Sequence, residues 1–134
     1  MLGGRVAQVA TPQNLYRAPT TREVAAFVGE ANFIPGEANG HTVDCALGRL
    51  VLDEPAVGAV SVLLRPEWLR LNAHDAQTRG VILWREFYGH DQRIGIRLSD
   101  ETLLVVRSAA GEDYAPGETV RVGVNVAVRA YPRE

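Results

Sequence analysis

A chain of 134 residues is long enough for one domain with a substantial core, and a formal net charge of -2 removes the electrostatic ground for binding nucleic acid or anionic lipid. The single cysteine, Cys45, excludes an internal disulfide framework. All 14 basic residues are arginine, which excludes a working phosphate loop of the Walker A kind, because that loop needs a lysine to reach the β- and γ-phosphates.

In chain order, the stretch "GGRVAQVA" reads as a short strand. Thr11 as N-cap and Pro12 at the first helical position then start a short helix that ends by Pro19. A second helix over "TTREVAAFVGE" is capped by Thr20 or Thr21, carries Val24, Phe27 and Val28 on one face, and ends at Gly29. From Asn32 onward the pattern is that of strands. Asn39-Gly40 predicts a hairpin turn between "FIPGEA" and "HTVDCAL". "GRLVLDEP" and "GAVSVLLRPE" predict two strands separated by Pro55 and Gly58. In "SVLLRPEWLRL", Pro66 cannot donate to a ladder, so the strand ends there or lies at an edge, with Arg65 and Glu67 flanking a turn.

"TRGVILWREFYG" predicts one long strand, with Val81, Leu83 and Phe87 on one face and Ile82, Trp84 and Tyr88 on the other. "RIGIRLSDETLLVVRS" predicts two strands around Ser99-Asp100, with Ile94, Ile96 and Leu98 inward. The period-2 run Val120, Val122, Val124, Val126, Val128 predicts a single final strand. The fold expected from this series is mainly β: one small closed β-barrel of the oligonucleotide/oligosaccharide-binding type, preceded by a short strand and two helices.

Residues with metal-binding or catalytic chemistry do not assemble into a site on this pattern. His41 and Cys45 share a strand face but stand about 13 Å apart at roughly 3.3 Å per residue, too far for one zinc ion. His74-Asp75 and His90-Asp91 fall in predicted turns. Ser61, Ser99 and Ser108 lack a Gly-x-Ser-x-Gly elbow. No catalytic residue, metal or cofactor is expected. No apolar run of 18 residues and no charged-then-apolar leader occurs, so a cytoplasmic setting without membrane insertion is expected.

One stretch carries a denser signal. "GGRVAQVATPQNLYRAPTTREVAAFVGEANFIPG" contains Gly4, Arg5, Gln8, Thr11, Pro12, Leu15, Tyr16, Pro19, Val24, Ala25, Phe27, Gly29, Asn32 and Gly36 in an order that resembles the end of the nucleotide-binding domain of ABC importer ATPases. Farther on, "LLRPEWLRL" resembles the Arg-Pro-Glu element of that family's C-terminal TOBE-type barrel. Gly89 and the Pro116-Gly117-Glu118 turn resemble later points of the same barrel. The resemblance is closest to the ferric-iron and polyamine branch.

The resemblance implies that residues 1–31 are the tail of an ATPase domain and residues 32–134 a TOBE-type accessory barrel. It implies a parent protein that hydrolyses ATP to drive uptake through permease subunits, at the inner face of the plasma membrane. The phosphate loop, Gln loop, Leu-Ser-Gly-Gly-Gln motif, Walker B aspartate and switch histidine of that family are not in this sequence, so no ATPase activity of its own is expected. Its implied role is regulation or subunit dimerisation, with a homodimer as the expected state. The candidate interface and regulatory residues are Asn32, Arg65, Pro66, Glu67, Trp68, Trp84 and Tyr88. The alternative is an oxyanion-binding barrel of the molybdate-binding type, whose Ser-Ala-Arg-Asn motif is matched in "GEANFIPG" by Asn32 alone.

Overall fold

Alternating apolar side chains leave each strand one face to bury, and two such sheets share one core. The computed structural model describes residues 30–72 and 76–133. The strand and two helices expected ahead of the barrel, and the pair His74-Asp75, lie outside the described residues.

β1 (Asn32–Cys45) pairs antiparallel with β2 (Gly48–Leu64). β8 (Arg129–Pro132) covers the other edge of β2 from Val60 to Leu63. These three form one sheet in the order β1-β2-β8. A second sheet of five strands runs β3 (Leu69–Leu71), β7 (Thr119–Val124), β4 (Thr78–Tyr88), β5 (Asp91–Leu98), β6 (Leu103–Ala109). Ile34, Val62 and Leu64 from the first sheet and Ile82, Ile94, Ile96, Leu104, Val120 and Val122 from the second are buried in one cluster. At about 1.5–3 kcal/mol for each fully buried large aliphatic side chain, this shared core is the main stabilising term.

Several expectations are corrected. Asn39-Gly40 is not a hairpin turn, because β1 runs through it and turns back only at Ala46-Leu47. Gly40 takes φ 76 at a register shift between Gly40 and Thr42, so the left-handed conformation that glycine permits is used for a bulge inside the ribbon. The two strands expected between Arg49 and Leu64 are one strand, β2.

The segment that leaves the β1 ladder at this shift finds other partners. The Asp53 amide donates to the Val128 carbonyl at 2.9 Å, and the Val128 amide to the Val51 carbonyl at 2.9 Å. Arg129 adds ion pairs to Asp53 (3.2 Å) and Glu54 (2.7 Å). Pro55, with no N–H to give, is tolerated in this irregular stretch.

The single final strand is also two. β7 ends at Val124, Val126 is exposed, and Val128 re-enters the core from the other sheet. In β4 a register shift between Ile82 and Trp84 disturbs the expected faces, leaving Ile82 buried while Leu83 and Trp84 are both exposed.

Nor do the described strands pair into one closed cylinder. β3 and β6, the outer strands of the five-stranded sheet, approach each other without forming a ladder. β3 offers only three residues, and the edge of β6 at Val105 is already occupied by the Asn32 side chain.

Candidate functional site

The break "LLRPEW" sits where β2 ends. Arg65 keeps an extended backbone (φ -69, ψ 141), and Pro66–Trp68 form a single 3-10 turn with Pro66 at its start, closed by the Trp68 amide donating to the Arg65 carbonyl at 2.9 Å. Pro66 thus serves as a strand terminator and a turn initiator. The turn buries Arg65 completely and sends its guanidinium Nη1 to the main-chain oxygen of Glu30 at 2.8 Å. A fully buried guanidinium is tolerated only where hydrogen bonds replace its water. Trp68 is half-buried against both the main core and a satellite cluster of Leu63 and Tyr131. Burial of Tyr131 raises its phenol to about 12.

Asn32 lies beside this turn. Its Nδ2 donates to the Leu64 carbonyl (3.1 Å) and to the Val105 carbonyl (2.9 Å), while its Oδ1 accepts the Val105 amide at 2.9 Å. The side-chain amide therefore imitates a backbone peptide on the open edge of β6 and joins the two sheets. Both polar atoms of Asn32 are engaged by the protein itself.

Trp84 and Tyr88 are set apart from this group, on the hairpin that β4 and β5 make around Gly89-His90. There Leu83, Trp84, Phe87 and Tyr88 are all exposed. The Trp84 indole packs against Gly95 on β5, where an added Cβ would clash with its Nε1 and Cε2. The Arg85 guanidinium stands 4.8 Å from the Phe87 ring centre and pairs with Asp113 at 2.8 Å. The Tyr88 hydroxyl donates to Glu86 Oε2 at 2.8 Å, and Arg93 stacks 4.5 Å over the Tyr88 ring.

The seven candidates thus divide into a buried group (Asn32, Arg65, Pro66, with Glu67 and Trp68 half-buried) and an exposed aromatic pair (Trp84, Tyr88). Arg93 bridges the two regions by donating its Nε to Glu30 Oε1 at 2.9 Å. The sequence reading missed Arg93 and Glu30, since a polar strand residue and a residue ahead of β1 give no signal of contact 63 positions apart.

Where β3 and β6 face each other, a cleft of about 620 Å³ is lined by Glu67, Arg70, Asp91, Arg107, Ser108 and Glu112 among others. Arg107 pairs there with Asp91, and Arg70 donates to the main-chain carbonyl of Glu67 at 2.6 Å. Next to it, Gln92 is fully buried and donates to the carbonyls of Ala109 (2.9 Å) and Glu112 (2.6 Å). Elsewhere Asp44 is committed to Arg49 at 2.9 Å, a hydrogen bond that lowers its pKa, and burial raises that of Cys45. Among the described residues no three His, Cys, Asp or Glu side chains are grouped to hold a metal ion, and no helix is long and apolar enough to cross a membrane.

Residues 62–128, half of the chain, match the TOBE domain model. The chain belongs to the TOBE domain family.

Its curated relatives are ABC importer ATP-binding proteins. This TOBE chain is 31% identical over 138 residues to the Fe(3+) ions import ATP-binding protein FbpC 1 of Rhodococcus jostii, covering 98% of this chain and 40% of that protein. It is 34% identical over 149 residues to the sulfate/thiosulfate import ATP-binding protein CysA 2 of Chromobacterium violaceum, covering 100% of this chain and 40% of that protein. With the spermidine/putrescine import ATP-binding protein PotA of Ruegeria pomeroyi the identity is 33% over 135 residues, 91% of this chain and 37% of that protein. The chain spans about 40% of the length of the curated relatives it matches. Among solved structures, the cytoplasmic molybdate-binding protein ModG with molybdate bound superposes with a TM-score of 0.58 at 13% identity, covering 83% of this chain and 96% of that one. At that identity the likeness shows the shared fold.

Proposed function

We propose that this TOBE chain is the C-terminal accessory domain of the ATP-binding subunit of an ABC importer of the iron or polyamine type. Its first 31 residues are the tail of the ATPase domain, and residues 32–134 are the regulatory TOBE domain. The observation that carries this reading is similarity along 98% of the chain to a protein of which it makes up only 40%. This TOBE domain acts by association with a second subunit and biases how the ATPase halves meet. In the parent complex it works beside permease subunits at the cytoplasmic face of the membrane.

The surface that supports association is the β4–β5 hairpin, where aromatic side chains stand in water with arginines beside them, a composition enriched at protein interfaces. Trp68 serves the fold, since it packs on the core. The chain holds no lysine for a phosphate loop.

Two measurements test the reading. Purified chain incubated with Mg-ATP is expected to release no phosphate above an inactive control, and turnover would refute it. Sedimentation equilibrium at high micromolar concentration is expected to show dimer. Monomer alone would remove the association role.

A further inference from the structure

We infer that Arg79, Arg97 and Arg121, on the outward face of the five-stranded sheet, form a docking site for a carboxylate-bearing segment of a partner protein. The site is distinct from the turn at Arg65 and from the aromatic hairpin, and it does not depend on the proposed function.

Strand alternation puts the three on one face. Gly80 and Ile82 on β4, Ile96 and Leu98 on β5, and Val120 and Val122 on β7 are buried, so Arg79, Arg97 and Arg121 stand in solvent. Arg79 is directly opposite Arg121 in the β4–β7 register. The Arg121 amide donates to Asn72 Oδ1 at 2.9 Å, and its carbonyl accepts the Asn72 amide at 2.7 Å. With both main-chain groups of Arg121 turned that way, Arg79 and Arg121 are a non-hydrogen-bonded pair, the kind whose Cα atoms come within about 4.5 Å. Arg97 is opposite Val81 and therefore diagonal to Arg79, within reach of a long side chain.

Like charges directly opposite each other weaken a sheet. The same sheet holds a second such pair, Arg93 opposite Arg107, and there each guanidinium has a carboxylate: Glu30 at 2.9 Å for Arg93, and Asp91 for Arg107. Among the described residues Arg79, Arg97 and Arg121 have none. Of the carboxylates that border these strands, Glu118 accepts the Ala115 amide at 3.3 Å and Asp100 the Thr102 amide at 3.1 Å. In a chain of net charge -2 this leaves a local positive patch, and an incoming carboxylate completes it as Glu30 and Asp91 complete the other pair. Leu103, 65% exposed and opposite Arg97, and half-buried Val81 add apolar contact, and arginine beside exposed apolar residues is the composition of a protein interface. A nucleic acid would call for a positive footprint along many phosphates.

The test titrates fluorescein-labelled hexaglutamate with the full 134-residue chain, read by fluorescence anisotropy. Binding is expected, and it should weaken as salt is added. Arg79→Gln should lower the affinity about two- to fivefold. Arg49→Gln, which alters an exposed arginine already paired with Asp44, should leave it unchanged. Arg79→Glu should weaken binding further and at the same time raise the urea midpoint by roughly 0.2–0.5 M, because a repulsive cross-strand pair becomes an attractive one.

No binding of hexaglutamate, or the same loss in Arg49→Gln as in Arg79→Gln, would overturn the site. A lowered urea midpoint in Arg79→Glu would do so too, since the arginines would then serve the fold. Tighter binding of labelled oligothymidylate or of phosphatidylserine vesicles than of hexaglutamate, lost with Arg79→Gln, would show the partner class to be wrong. Conversion of a dimer to monomer by Arg79→Gln would make the occupant a second copy of this chain and equally refute the docking site.

Discussion

Asn32→Ala is expected to be among the most destabilising single truncations in the first sheet. The side chain is 9% exposed and makes three hydrogen bonds, two donated and one accepted. At a net value of about 1 kcal/mol each, their loss costs about 3 kcal/mol. Val105 is only half-buried, so water can reach part of what is left unpaired and the lower bound is about 2 kcal/mol.

Urea unfolding followed by far-UV circular dichroism reads this directly. With a slope of about 1–3 kcal/mol per molar for a small domain, the midpoint falls by about 1–2 M at unchanged slope. Asn32→Asp sharpens the test. It retains an acceptor for the Val105 amide but turns a second carboxylate oxygen toward the Leu64 and Val105 carbonyls, acceptor against acceptor in a buried place.

Near neutral pH this variant is expected to be no more stable than Asn32→Ala. Its folded-state carboxyl pKa is pushed above the ordinary value of about 3.9 by burial and by the facing carbonyls. The folded form then binds the proton more tightly than the unfolded form, so the deficit relative to the parent shrinks as pH falls through the raised value. An Asn32→Ala chain within 0.5 kcal/mol of the parent, or an Asn32→Asp deficit that does not change between pH 7 and 4.5, would refute the claim that this amide joins the sheets.

Three further outcomes are expected. Gly40→Ala, at φ 76 with nothing near the added methyl, should lower unfolding stability by about 1–2 kcal/mol, and semisynthetic incorporation of D-alanine at this site should restore it. Gly95→Ala should force the Trp84 ring off β5, shifting the tryptophan emission to longer wavelength; an unchanged spectrum would refute the close contact. Tyr114 and Tyr131 are raised to about 12, in both cases first by burial and for Tyr114 also by its hydrogen bond to Glu112 at 2.6 Å. Ultraviolet titration of the folded chain should therefore leave two phenols un-ionised at pH 11. Because the folded values exceed the unfolded value of about 10, these groups contribute stability in full below pH 10, and that stability is lost between pH 10 and 12.

Much of the β architecture could be read from side-chain alternation. Ile94, Ile96 and Leu98 point inward as their spacing requires, and β4, β5 and β6 occupy the expected segments with the turn at Ser99-Asp100. The errors fall where one local pattern permits two backbones. Asn-Gly favours a positive φ, which serves a two-residue turn or a bulge equally well. The valines from 120 to 128 alternate without a break, yet the four residues between β7 and β8 carry the chain from one sheet to the other. The candidate residues were legible in part: Pro66 announced a strand end by its missing N–H, but nothing in the neighbourhood of Arg65 said that its guanidinium would be buried on a main-chain oxygen 35 positions away.

Sequence alone settled that this chain is rich in strands and has no lysine to grip a nucleotide phosphate, and its residue order resembles that of the importer ATP-binding proteins. The first two follow from composition and from period-2 spacing, which act over a few residues. Only the tertiary structure decided that the strands divide into two sheets, that Asn32 fastens one to the other, and that Arg65 and Arg93 grip Glu30. Long-range hydrogen bonds have no local signature, because the same asparagine or arginine serves equally well in water until the fold brings a partner to it.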